Sequence, residues 1–302
     1  RARERRPAGF EAPEIGTFLH YLLENTAREV AGSGGWAAVK TPQLHAMVRK
    51  YIDLYIRDEI PGYEEKSARF RYLFGRLRTT AEDIVDRMAE ELAESDFKPV
   101  AFELGFGGRD GTLPAITIQE GDATLSVSGK VDRVDGWLHD GKLYLRVVDY
   151  KTGRKSFDLS DVRYGLGIQM LLYLFTLEKE GQSCFGYPIV PAGVLYHPAR
   201  DLILKTERDI SPEALRRAMD RELRRDGMVL GDPEVLRAME HSALEAPCFL
   251  PIQVSKDGGI SGGVATAAQL GRLGQYVEKL LHQITRELRQ GNIDADPCWR
   301  GP

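Results

Sequence analysis

Apolar positions along this chain follow two different periods. Residues 14–30 set Ile15, Leu19, Leu22 and Leu23 at helical spacing, and a second periodic stretch covers about 41–58. After Pro61-Gly62, a charged but still periodic segment from about 64 to 95 keeps that character until Lys98-Pro99 ends it. The period then changes. Segments near 100–106, 113–119, 123–136 and 143–150 alternate apolar and polar residues, with turn signals between them at 108–111, 120–122 and 139–142, which predicts an antiparallel meander. Helical spacing returns over 160–178, further strands are expected at 190–196 and 202–208, and a charged helix at 212–225. Residues 226–264 read as turns and Gly-rich stretches, and 265–290 as a last long amphipathic helix. No repeat, low-complexity tract or linker divides the chain. The expectation is a single α+β domain over 1–302: a helical arm (1–97), a central mixed sheet with its helix (98–210) and a C-terminal helical part (211–302).

Composition narrows the function classes. The chain has 302 residues, 42% hydrophobic and 28% charged, which is ordinary for a soluble globular protein. No apolar run approaches the roughly 20 residues of a membrane span, so a membrane role is not expected. Nor does any segment resemble a signal peptide. The sequence opens at Arg1 in a basic run and stops at Pro302 with no closing element, so both ends read as edges of a larger chain. Cys184, Cys248 and Cys298 are odd in number and far apart, which argues against a disulfide framework or a metal knuckle and favours isolated thiols in a reducing, cytoplasmic setting. The net charge of -4 counts mildly against a stand-alone nucleic-acid binder, although net charge does not report distribution.

Candidate chemistry concentrates in two neighbouring segments, Gly129-Lys-Val-Asp-Arg-Val-Asp135 and Leu145-Arg-Val-Val-Asp-Tyr-Lys-Thr-Gly153. Residues two apart on a strand share a face, so Asp149 and Lys151 point one way while Val148 and Tyr150 point the other. With Asp132 on the preceding strand, these residues supply hard oxygen ligands for Mg²⁺ and a cation beside a reacting phosphate. An isolated Asp-x-Lys is usually a solvated salt bridge. Here two acidic strand ends, a Gly153 turn and a following helix with a polar pair fall within one short run. In that helix Gln169 and Tyr173 lie four apart, on one face.

Asp132, Asp149-Tyr150-Lys151 and Gln169-x-x-x-Tyr173 together resemble the PD-(D/E)xK nuclease pattern in its RecB-like form. The wording GKVDRVDG, VVDYKTG and YGLGIQMLLYL is most similar to AddB-type nuclease domains of bacterial helicase-nucleases, and the Gly16-x-x-x-His20-x-x-x-Glu24 helix extends the likeness over nearly the whole chain. The resemblance implies a restriction-endonuclease-like α+β fold and a metal-dependent deoxyribonuclease that hydrolyses single-stranded DNA during double-strand break processing and recombinational repair. It implies Mg²⁺ (or Mn²⁺) held by His20, Asp132, Asp149 and the Tyr150 carbonyl, with Lys151 catalytic and Gln169 and Tyr173 supporting the site and contacting DNA. Glu103 is similar to an upstream acidic position. It also implies DNA, single-stranded or at duplex ends, as substrate and an AddA-type helicase-nuclease subunit as partner.

The family's iron-sulfur cluster needs one cysteine before the first helix and three after the last. Cys298 alone cannot supply that set, so no cluster is expected in this fragment. No GxxxxGK[ST] loop occurs, so ATP hydrolysis is not assigned to these residues. Two rival readings make distinct predictions. A nuclease-like module that guides or scaffolds DNA without cutting it predicts lost ligands, and an accidental motif in a structural domain predicts Asp132 and Asp149 beyond shared-metal reach.

Overall fold

The computed structural model describes residues 12–108, 111–153, 156–200 and 209–294. The strand expected at 202–208 and Cys298 lie outside the described residues. The chain divides into two compact units. The first holds the N-terminal helices α1 (Ala12–Gly32), α2 (Thr41–Glu59) and α3 (Ala68–Ala93), all close to their expected bounds. Their apolar stripes meet through fully buried Phe18, Leu22, Val48, Ile52, Phe74, Val85 and Met88, as a 3.6-residue period requires of packed amphipathic helices. Ser67 caps α3 by accepting from the Phe70 N–H, satisfying a donor that the first helical turn leaves open. A charged helix, α6 (Pro212–Leu223), belongs to the same unit. Arg87 ties it to α3, donating to Asp220 at 2.6 Å and to Glu90 at 3.1 Å.

The second unit is built on a mixed six-stranded sheet. Its strands, in chain order, are β1 (Lys98–Phe106), β4 (Gly129–His139), β5 (Lys142–Lys151), β6 (Ile189–Pro198), β7 (Asp226–Leu230) and β10 (Val264–Ala265), and they lie side by side in that order. The pairs β1–β4, β4–β5 and β6–β7 are antiparallel and β7–β10 is parallel. The last residues of β5 and β6, from Tyr150 and from His197, are counted with the first unit. Helices α5 (Gln169–Phe185), α7 (Pro233–Met239) and α8 (Ala267–Arg289) complete the unit, α8 opening with a reciprocal Thr266–Gln269 capping box.

Three expectations are corrected. The segment 123–136 is not one strand: β3 (Ala123–Val127) pairs with β2 (Ile116–Glu120) in a separate hairpin, and the chain enters the main sheet only at Gly129. The helix expected over 160–178 is two pieces, α4 (Leu159–Arg163) and α5. Gly165 and Gly167 stand between them at φ +76° and +67°, left-handed values that no α-helix can contain. Finally, the stretch 226–264 supplies β7, α7, a small hairpin of β8 (Ile252–Val254) and β9 (Ile260–Gly262), and β10. Buried Glu240 organises its irregular part, accepting from the backbone N–H groups of Cys248, Phe249 and Leu250 at 2.5, 3.1 and 3.0 Å. Such a link between a side chain and a distant backbone leaves no periodic trace in sequence.

The sheet also buries charge. Arg133 and Asp135 on β4 and Arg146 on β5 share one face, and none of the three side chains is exposed. Asp135 accepts from Arg133 Nη2 at 3.1 Å and from Arg146 Nε at 2.9 Å, the Arg133 Nε stands 2.8 Å from the same carboxylate as an ion pair, and the Arg146 guanidinium lies over the Phe97 ring at 5.3 Å. Removing the shared carboxylate leaves two buried cations facing each other. Asp135→Ala is therefore expected to destabilise the protein by about 3–5 kcal/mol in denaturant titration; an unchanged midpoint would show that the cluster contributes nothing.

Candidate active site

The pairing of β1, β4 and β5 decides which side chains meet. On β1 and β4, Phe102 is opposite Arg133 and Leu104 opposite Val131, so Glu103 faces Asp132. Their carboxylate oxygens come within 4.8 Å of each other. On β4 and β5, Arg133 is opposite Val148, and the same register carried one residue further sets Asp132 beside Asp149. Strand parity places Arg133, Asp135 and Arg146 on one face and Glu103, Asp132 and Asp149 on the other. Three acids thus come from three adjacent strands. Asp149 is buried, whereas Asp132 and Glu103 are half-buried.

Glu103 holds an uncommon conformation. Its φ of +49° lies in the left-handed region, which costs a residue with a Cβ about 1–2 kcal/mol. The other non-glycine residue with positive φ among those described, Asp140, sits in the tight turn between β4 and β5. Strain within a strand rather than in a turn points to a carboxylate held in place for its position. Lys130 lies 3.1 Å from Glu103 and offsets part of the repulsion between the paired acids. Neither Lys130 nor the backbone of Glu103 was singled out by sequence reasoning. Their alternation on a strand looks like that of any solvated face.

Behind this acidic edge stands the polar pair of α5. Gln169 Nε2 donates to the Tyr173 hydroxyl at 2.8 Å, and that hydroxyl accepts from the Lys130 backbone N–H at 3.2 Å. The Tyr173 ring stacks on Phe106 with centroids 5.2 Å apart. Tyr173 thereby ties the entry of β4, two residues before Asp132, to the end of β1. Gln169 is the first residue of α5 and is exposed, so the pair sits at a helix start rather than in mid-helix.

Tyr196 on β6 is a further member that sequence reasoning missed. It is buried, and its hydroxyl is pushed up to about 12 by burial first and then by Asp149 and Asp226. It therefore stays a neutral phenol beside the Asp149 carboxylate. A Tyr within an apolar strand gives no warning of this, because only pairing between distant segments brings Asp149 and Asp226 to it.

Three expected residues lie in the first unit. His20, on α1, is half-buried and packs its ring edge-on to Tyr150 with centroids 5.8 Å apart. The Tyr150 ring also meets His197 at 5.3 Å, and its hydroxyl donates to Met88 Sδ at 3.6 Å. Lys151 closes β5, and its carbonyl accepts from the Ala199 N–H at 2.8 Å. His197 and Glu91, 3.8 Å apart, form a buried pair that the sequence did not announce. Cys184 is exposed and Cys248 half-buried, and both are free thiols.

A mixed sheet with carboxylates on one face of three neighbouring strands and a lysine two residues after the last of them defines a class of phosphodiester-cleaving proteins. The sequence pattern of the PD-(D/E)XK nuclease superfamily matches residues 1–300. The chain belongs to that superfamily, and the expected α+β nuclease fold is met. It is similar to the B-type subunit of the ATP-dependent helicase/deoxyribonuclease from Acetivibrio thermocellus (33% identical over 300 residues), from Caldanaerobacter subterraneus subsp. tengcongensis (32% over 304) and from Clostridium tetani (30% over 300). In each case the match covers 98% of this chain and 26% of the relative, so the chain spans about a quarter of the length of these curated relatives. The AddB-type resemblance read from the motifs agrees with them. No helix among the described residues is long and apolar enough to cross a membrane.

The close fit of Tyr173 against β4 has a testable consequence. A Cβ added to Gly129 would collide with the Tyr173 hydroxyl and ring. Gly129→Ala is expected to destabilise the fold by about 1–3 kcal/mol, as overpacking does. Thermal melts of Gly129→Ala in the wild-type and Tyr173→Ala backgrounds check this: the penalty should shrink when the tyrosine is gone, and an equal penalty in both backgrounds would contradict the contact.

Proposed function

We propose that this chain is a Mg²⁺-dependent deoxyribonuclease domain that hydrolyses phosphodiesters of single-stranded DNA, working within a helicase-nuclease complex on DNA ends during double-strand break repair. The observation that carries the reading is the placement of Glu103, Asp132 and Asp149 on one face of three adjacent strands, the first two with carboxylate oxygens within 4.8 Å, with Lys151 following on the same strand parity. We take residues 1–302 as one nuclease domain because the superfamily's pattern spans both compact units. The complex and its AddA-type partner follow from the names of the relatives, which describe one subunit of a helicase/deoxyribonuclease. A bacterial cytoplasmic setting fits that role.

Clustered carboxylates provide the hard oxygen donors that Mg²⁺ or Mn²⁺ prefers, so the residues present fit such an ion. Asp132 and Asp149 are its proposed ligands, with Glu103 as an additional one. His20 and the Tyr150 carbonyl are included because the resemblance names them. When bound, the ion would lower the pKa of a ligated water and offset charge on the attacked phosphate. Lys151 orients the nucleophile and balances the charge that develops on phosphate oxygens. Gln169 and Tyr173 hold the start of β4 and thus fix the position of Asp132. Tyr196 stays neutral across the working pH range, so it can support Asp149 without adding charge.

Cleavage of end-labelled single-stranded and duplex DNA, with Mg²⁺ and with chelator, tests the proposal. Asp149→Ala and Lys151→Ala should each abolish Mg²⁺-dependent cutting while thermal melts still show a cooperative fold, and Glu103→Gln should reduce it. Cutting by Asp149→Ala at the wild-type rate would refute the assignment. Calorimetry separates the DNA-guiding alternative, because a non-catalytic module would show no Mg²⁺ or Mn²⁺ binding that depends on Asp132.

A further inference from the structure

Helix α3 carries a surface that the acidic site does not use. Between residues 66 and 80 the sequence has five cations, Lys66, Arg69, Arg71, Arg76 and Arg78, and no carboxylate, in a chain whose net charge is -4. The inner side of this helical segment is fixed by aromatic packing. Phe74 is fully buried, with its ring 5.4 Å from Phe18 and 5.4 Å from Tyr63. The outer side therefore has a defined orientation. Tyr72 is 67% exposed, more than any other aromatic side chain among the described residues. Arg69 is three positions before it and Arg76 four after it, both exposed, so the three lie along one helical stripe.

An exposed tyrosine costs apolar hydration, and this one is bracketed by guanidinium groups about one turn away on each side. Arg71 turns back to donate to the Glu64 carbonyl at 3.0 Å and lies off this stripe, whereas Arg69 and Arg76 flank the ring by their helical spacing. These two residues are separated by about 10 Å along the helix axis, close to three nucleotide steps of a stacked strand. Gly75 adds no side chain beside the ring, and the space a Cβ would take there is open.

We propose that the outward stripe Arg69–Tyr72–Arg76 of α3 binds single-stranded DNA, the tyrosine stacking on a base and the arginines neutralising phosphates on either side. Aromatic faces between cations are how proteins hold single strands without reading their sequence. An acidic protein surface would match the charge but would give the exposed ring no partner. The inference rests on the nuclease reading for its substrate class and adds a contact surface distinct from the carboxylates.

The experiment is fluorescence anisotropy of the full-length protein with labelled oligothymidylate in EDTA, across a salt series. Arg69→Ala/Arg76→Ala should weaken binding about tenfold or more and flatten the log–log salt dependence by about 1.4, two phosphate contacts at 0.7 each. Tyr72→Ala should weaken it about tenfold and Tyr72→Phe should restore it, since stacking needs the ring and not the hydroxyl. Unchanged affinity and salt slope in the double arginine variant would overturn the proposal. So would loss of association with another protein while oligothymidylate binding stays intact. Because EDTA removes the cleavage step, this result is independent of whether Lys151→Ala abolishes cutting.

Discussion

The antiparallel pairing of β1, β4 and β5 is the constraint on which the proposed chemistry depends. A strand has only two faces, and a slip of one residue exchanges them completely. In the observed register, Asp132 and Asp149 share a face with Glu103, and Asp135 falls on the other face with Arg133 and Arg146. Shifting β4 by one residue would bury Asp132 and turn Asp135 towards the acidic edge. The buried cluster opposes such a slip. Two arginines and one aspartate out of water are tolerable only when each guanidinium meets the carboxylate, and a single register allows that. Stability on one face thus specifies geometry on the other.

A second layer of restraint acts at the strand ends. The Tyr173 hydroxyl accepts from the backbone at Lys130, its ring stacks on Phe106, and Gly129 leaves room for it. This fixes the entry of β4 without placing a further charged group beside the acids. Glu103 meets the site through a backbone conformation that its residue type disfavours, and the tolerated strain agrees with a carboxylate kept for where it stands. The polar pair of α5 and the strained residue of β1 therefore act on the same short stretch, residues 129–132, from two sides.

Much of this was legible beforehand. The 3.6-residue period gave α1, α2, α3 and α8 nearly to their ends, because each buries one continuous stripe. Alternation gave β1, β5 and β6. The boundaries that were misjudged share a cause: they are decided by contacts between distant segments. Ser128 divides β3 from β4 because one strand pairs locally with β2 and the other with β1. The turn at Gly165 and Gly167 separates α4 from α5 although the apolar period runs across it. β7 is short and almost wholly buried, so it shows neither period, and Glu240 organises its surroundings through backbone donors eight to ten residues away.

The sequence alone determined the residue types and their parity: Asp149 with Lys151 on one side of a strand, and Gln169 with Tyr173 on one side of a helix. These properties are local and follow from covalent geometry. Only the tertiary structure decided that Glu103 would stand across from Asp132, that Tyr196 would remain a neutral phenol beside Asp149, and that Asp135, three residues from Asp132, would serve the core. Strand order and register set those outcomes. They are fixed by the burial of distant segments against each other, which no short window of sequence contains.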